Sequence, residues 1–67
     1  MQMSTAYRIR EYREKLNMTQ EELSRKANVS RSIISELETG RRFSTNTETL
    51  VKIAKALNVS LSQIFLK

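Results

Sequence analysis

Residues 19–40 read Thr19-Gln20-Glu21-Glu22-Leu23-Ser24-Arg25-Lys26-Ala27-Asn28-Val29-Ser30-Arg31-Ser32-Ile33-Ile34-Ser35-Glu36-Leu37-Glu38-Thr39-Gly40. Helix starts and stops are both written into this stretch. Thr19 can cap an N-terminus, Glu22 can reach back to its amide, and Met18 can staple onto Leu23. Val29, Ser30 and Ile34 repeat the cap and the staple, with Ile33 where the reciprocal polar side chain would stand. Asn28 and Gly40 tolerate the left-handed backbone that ends a helix. Leu23 and Ala27, then Ile34 and Leu37, keep spacings of three or four, so each helix has one face to bury. Only Asn28, Val29 and Ser30 separate the two helices. The chain must therefore turn sharply with the helices at a large angle, which is helix-turn-helix geometry.

The same punctuation extends outward. Val59, Ser60, Gln63 and Ile64 fill all four roles of the Met18 to Leu23 set. Thr45 to Glu48 forms another capping box, with Asn46 an equally good cap. Asn17 and Asn58 supply two further stops. The boundaries predict helices over 4–16, 19–27, 30–39, 46–57 and 60–66. The apolar positions Ile9, Tyr12 and Leu16, then Leu50, Ile53, Ala54 and Leu57, then Leu61, Ile64 and Phe65 fit that division. No Pro and a single Gly argue against an all-β chain, so the fold class is all-α.

A chain of 67 residues has room for one core, and residues 1–67 are expected to form a single domain. Without Cys or His it has no disulfide, no zinc-finger pattern, no thiol nucleophile and no imidazole acid or base. Its seven carboxylates, all Glu, sit among interleaved charges typical of solvated helix faces. No enzyme, cofactor, metal or small-molecule ligand is expected. Lys and Arg number 12, leaving a net charge of +5, which suits a polyanion: nucleic acid first, an anionic membrane second. Glu11 and Glu14 make the first helix a poor membrane anchor. No stretch resembles a signal peptide or a membrane span, which points to a cytoplasmic protein.

The run from Thr19 to Gly40 resembles the Cro and phage-repressor (Xre-type) helix-turn-helix family. The resemblance extends upstream to Arg13 and downstream through Leu50, Ile53, Ala54, Leu57, Asn58, Val59 and Ser60, nearly the whole chain. It implies a compact five-helix, lambda-repressor-like DNA-binding domain whose second helix spans the phosphate backbone while the third enters the major groove. The chain departs from the family at three places. Asn28 stands where Gly is common, and Ser24 replaces a small apolar residue and brings a hydroxyl near the core. The segment 41–46 lacks the common Pro and is about one residue longer than the family pattern.

Matched to the family, the base-contacting residues are Arg31, Ser32, Ser35 and Glu36. Arg31 can pair bidentately with guanine, the serines can bond many base edges, and Glu36 can accept from cytosine N4. Glu36 can equally pair with Arg31 or repel phosphates. Ile33 can touch a thymine methyl or lie partly buried beside Val29. Phosphate contacts need donors at the motif's edges. Gln20 and Ser30 stand at helix starts, where backbone amides already favour an anion, and Arg41 and Arg42 follow the third helix. Arg8 and Arg10 are weaker candidates.

Helical spacing puts Arg13 on the apolar face with Ala6, Ile9 and Leu16, where an unpaired charge is costly. The family pattern supplies its partner as Glu38, a structural ion pair that touches no base. A lone reader of a few base pairs has limited affinity, so a homodimer on a palindrome of double-stranded DNA is expected. Its interface is expected at Val51, Phe65 and Leu66, which lie at or beyond the edge of the core faces of the last two helices. The leading reading is a stand-alone sequence-specific transcription regulator. The alternative is a helix-turn-helix fold reused as a protein-interaction module, antitoxin-like or adaptor, whose exposed face would be more apolar and aromatic.

Overall fold

Every helix but the first begins where a side chain bonds an amide at its N-terminus. The computed structural model describes residues 7–42 and 45–65, and in it α1 spans Ile9–Lys15, α2 Gln20–Ala27, α3 Arg31–Thr39, α4 Thr47–Leu57 and α5 Leu61–Ile64. At α2 the Thr19 hydroxyl accepts from the Glu22 amide at 3.0 Å, and the Glu22 carboxylate accepts from the Thr19 amide at 2.8 Å. The bond from the Thr19 amide holds the Glu22 carboxyl below its ordinary range. Ser30 caps α3 through the Ile33 amide at 3.1 Å. Asn46, rather than Thr45, caps α4, with its Oδ1 accepting from the Thr49 amide at 2.9 Å. Ahead of α5 the Gln63 side chain accepts from the Ser60 amide at 2.8 Å.

The helix ends share one device. Asn17, Asn28 and Asn58 have φ of 54°, 58° and 61°, the left-handed region that Asn reaches at lower cost than most residues. The next amide in each case reaches back five residues: Met18 to the Arg13 carbonyl, Val29 to Ser24 and Val59 to Ala54, at 3.1, 3.1 and 3.0 Å. Met18, Val29 and Val59 are also the apolar residues that staple the following helix, and all three pack partly buried against the core. One residue thus closes a helix and aims the next. Ser24, which the sequence puts near the core, is satisfied there, its hydroxyl donating to the Val29 carbonyl at 2.7 Å. At Gly40 the φ of 86° ends α3, and the Arg42 amide donates to the Glu36 carbonyl at 3.1 Å.

Helix α4 packs against α1, α2 and α5, while α3 packs against α2 and α1. Ile9, Leu23, Ile34, Leu37, Ile53, Leu57 and Ile64 are the largest fully buried side chains, so all five helices contribute to one core.

Two expected helix ends are corrected. The first helix does not include Tyr7, and the last does not include Phe65. These residues form an isolated antiparallel bridge, with their rings 5.6 Å apart and the Arg8 amide donating to the Ile64 carbonyl at 2.6 Å. Pairing the two chain ends through the backbone competes with one more turn of either helix. The remaining predicted positions, 4–6 and 66, lie outside the described residues. Leu16 is also corrected: it sits past the end of α1 and is 48% exposed, outside the core.

The Asn28 turn sets the angle between α2 and α3. Asn28→Ala should lower stability by about 1 kcal/mol because its Cβ disfavours the left-handed region without a compensating polar side chain. Asn28→Gly should leave stability within about 0.5 kcal/mol of the parent, since glycine's freedom in both folded and unfolded chains offsets. Urea unfolding of the two variants checks this, and equal losses would remove the left-handed backbone as the cause.

Candidate nucleic-acid interface

Helix α3 divides sharply along its length and around its circumference. Ile34 and Leu37 are fully buried, and Glu38 is buried beside them, so this face is committed to the core. The opposite face carries Arg31, Ser32, Ser35 and Glu36, the first two exposed and the last two half-exposed. Ile33 packs partly buried against the core, as Val29 does. Among the described residues Arg31 enters no ion pair.

The last turn of α3 is fixed from behind by a charged knot. Arg13 Nε donates to Glu38 Oε2 at 2.8 Å and Nη2 to Oε1 at 3.0 Å, a two-pronged bond with side chains only 11% and 2% exposed. Arg13 Nη1 donates to the Met18 carbonyl at 2.7 Å, and Gln20 Nε2 to Glu38 Oε1 at 3.0 Å. The Glu38 bond raises the Arg13 pKa above its ordinary value, so the guanidinium stays charged. No described buried side-chain polar atom lacks a partner.

That knot bears on the expected phosphate donors. Gln20 is held against Glu38 through one N–H of its side-chain amide, and the second N–H is not used in that bond. Ser30 caps α3 through its oxygen, leaving its hydroxyl proton to donate. Arg41 is exposed and forms no ion pair among the described residues. Arg42 is bound to Glu36, with Nη2 2.8 Å and Nε 2.9 Å from Oε1. Glu36 therefore pairs with Arg42 and not with Arg31. Residues 43 and 44 of segment 41–46 lie outside the described residues.

Around helix α1 the cations are spent locally. Arg8 binds Glu11 at 2.9 Å, Arg10 binds Glu14 at 3.0 Å, and Lys15 lies 3.8 Å from Glu11. Hydrogen bonding from Arg8 lowers the Glu11 pKa. Lys26, Lys52 and Lys55 join Arg31 and Arg41 in having no ion pair among the described residues, and they were not singled out by sequence because unpaired lysines carry no positional signature. Of the expected dimer residues, Val51 is half-buried and Phe65 is 41% exposed against Tyr7. Leu66 lies outside the described residues.

A short three-residue turn, a buried anchor on one side of α3 and a polar, cation-led face on the other define a class of protein, the helix-turn-helix regulators. Known proteins agree with that class. The family model described as helix-turn-helix matches residues 9–64. Two proteins of Archaeoglobus fulgidus, each named an uncharacterized HTH-type transcriptional regulator, are 41% identical over 59 residues, covering 88% of this chain and 82% and 83% of their own lengths. The restriction-modification controller protein C.AhdI from Aeromonas hydrophila superposes with a TM-score of 0.78 at 28% identity, over 84% of this chain and 83% of that one. The clp gene regulator ClgR from Corynebacterium glutamicum gives 0.73 at 33% identity, over 81% of this chain and 56% of that one. The chain belongs to the helix-turn-helix family of DNA-binding transcription regulators, of the Cro and phage-repressor type, and that family is not enzymatic.

Removing either partner of the Arg13 and Glu38 pair should cost on the order of 3 kcal/mol, because the survivor is a charge held away from water. Arg13→Met with Glu38→Leu should cost less than the sum of the single changes. Strict additivity in thermal unfolding would mean that the two groups are not coupled.

Proposed function

We propose that residues 1–67 form one domain of a cytoplasmic regulator that binds a palindromic operator in double-stranded DNA as a homodimer, with α3 in the major groove. The observation that supports this reading is Arg31: an exposed guanidinium without an ion pair among the described residues, at the N-terminal end of a helix whose far end is anchored. Arg31 pairs with guanine through two parallel N–H bonds, and Ser32, Ser35 and Glu36 read neighbouring base edges. Arg41, Ser30 and the N-terminus of α2 with Gln20 hold phosphates and set the register. No described helix is long and apolar enough to cross a membrane. The polar character of the α3 face favours a groove over a protein partner, whose docking surface would be more apolar.

Arg31→Ala should weaken specific binding by about 1–3 kcal/mol and relax preference at one base pair. Arg41→Ala should weaken binding equally on all sequences and reduce the slope of log affinity against log salt by about one. Titrations on selected and random duplexes at several salt concentrations read both. Uniform loss for Arg31 would make it a phosphate contact, and no duplex binding by the parent chain would favour the protein-interaction reading.

The dimer would bury Val51 and Phe65 with Leu66, and would place the two copies of α3 about 34 Å apart, one DNA turn. Sedimentation equilibrium at tens of micromolar should give a dimer that Leu66→Glu converts to monomer. A monomeric parent that binds DNA with no second-order dependence on protein would overturn the dimer.

A further inference from the structure

A carboxylate on a base-reading helix poses an electrostatic problem. Glu36 stands on the exposed face of α3 together with Arg31, Ser32 and Ser35, and any groove that admits this face is lined by phosphates. An uncompensated glutamate there is repelled on every sequence, which opposes binding without adding discrimination. The structure contains a compensation. Arg42, six residues on, returns to Glu36 because Gly40 reverses the backbone and the Arg42 amide bonds the Glu36 carbonyl at 3.1 Å. The Nε hydrogen bond at 2.9 Å and the Nη2 ion-pair contact at 2.8 Å fall on the same oxygen, Oε1. Oε2 is left without a partner among the described residues.

Resting on the DNA-binding reading above, we propose that Glu36 and Arg42 act as one charge-neutral base-reading unit. Glu36 Oε2 accepts a hydrogen bond from an exocyclic amino group in the major groove, with cytosine N4 the matching donor. A glutamate can only accept, so it discriminates against thymine O4 and guanine O6, which also only accept. Arg42 cancels the carboxylate's repulsion by the phosphates. The guanidinium has five N–H groups, and those on Nη1 make no contact with Glu36 and remain for the adjacent strand. The side chains are 40% and 41% exposed, so both ends of the unit are accessible to DNA without unfolding the loop. Arg42 is in this sense a positioning residue that acts through Glu36, sustaining affinity while Glu36 makes the base choice, which sets it apart from Arg41.

The test is a mutant cycle on the full chain, read on a duplex selected from a random pool and on random duplex. Glu36→Gln should lower the preference for C over T at one position of the selected site by about tenfold, the lower part of the range for a good base contact. Arg42→Ala should weaken binding to both duplexes by at least about tenfold when Glu36 is present, because it exposes the carboxylate to the phosphates. The same change in the Glu36→Gln background should cost no more than about threefold, since only a phosphate contact is then lost. Arg42→Lys, which keeps the charge, should bind random duplex nearly as the parent does. Circular dichroism of each variant verifies that the fold is retained, as expected for a half-exposed pair. Equal Arg42→Ala penalties in the two backgrounds, or an unchanged base preference on Glu36→Gln, overturn the unit while leaving the DNA-binding reading standing. A parent chain that holds no duplex at all overturns both.

Discussion

The buried carboxylate of Glu38 is the constraint on which the arrangement of helices depends. With 2% of its side chain exposed it must be fully partnered, and the donors come from separate parts of the chain: Arg13 on α1 and Gln20 at the start of α2. Arg13 reaches further, to the Met18 carbonyl in the turn between those helices. The end of α3 can therefore occupy one position only relative to α1 and the entry to α2. A hydrophobic replacement of similar volume can match such a pair in stability, so its distinctive contribution is direction. Apolar side chains at the same site would tolerate a rotated or shifted α3, whereas a two-pronged guanidinium bond does not.

Anchoring by the C-terminal half of α3 leaves the N-terminal half with no structural duty on its outer side. Ile34 and Leu37 hold the inner side, and Arg31 and Ser32 project from the outer one. The turn that precedes them is equally determined. Asn28 supplies the left-handed residue, Val29 closes α2 and packs on the core, Ser24 bonds the Val29 carbonyl, and Ser30 caps α3. Position and aim of this exposed face are thus set before any ligand arrives, which limits the ordering cost of any binding there.

Local signals were legible in the sequence and non-local ones were not. Thr19 with Glu22, Ser30 with Ile33, and the asparagines at 17, 28 and 58 mark boundaries through contacts between residues a few positions apart, and the helices follow them. Arg13 betrayed its need for a partner by sitting at an apolar spacing, but its meeting with Glu38 came from family resemblance. The bridge between Tyr7 and Phe65 joins the two ends of the chain, and nothing in the helical spacing of either segment announces it. The bond of Gln20 to Glu38 spans 18 positions, and that of Arg42 to Glu36 depends on a reversal at Gly40, so neither follows from the three-or-four spacing that pairs charges along a helix. Leu16 kept core spacing yet fell beyond the last turn of α1, where spacing no longer defines a face.

The distribution of paired charge bears on how a chain of net +5 is attracted to a polyanion. Arg8, Arg10 and Lys15 are matched to Glu11 and Glu14, and Arg25 lies 3.7 Å from Glu21. Such pairs are nearly neutral beyond a Debye length of about 8 Å at physiological salt, so they add little to a long-range field. The excess is carried instead by cations without ion pairs among the described residues, Arg31 and Arg41 on either side of the exposed α3 face among them. If Arg42 and Glu36 remain joined, the same face gains a base acceptor with no loss of net positive charge. On the reading proposed above, the unpaired guanidinium groups would draw the phosphates in at long range, and Arg31, the serines and the neutral pair would test the sequence only at contact.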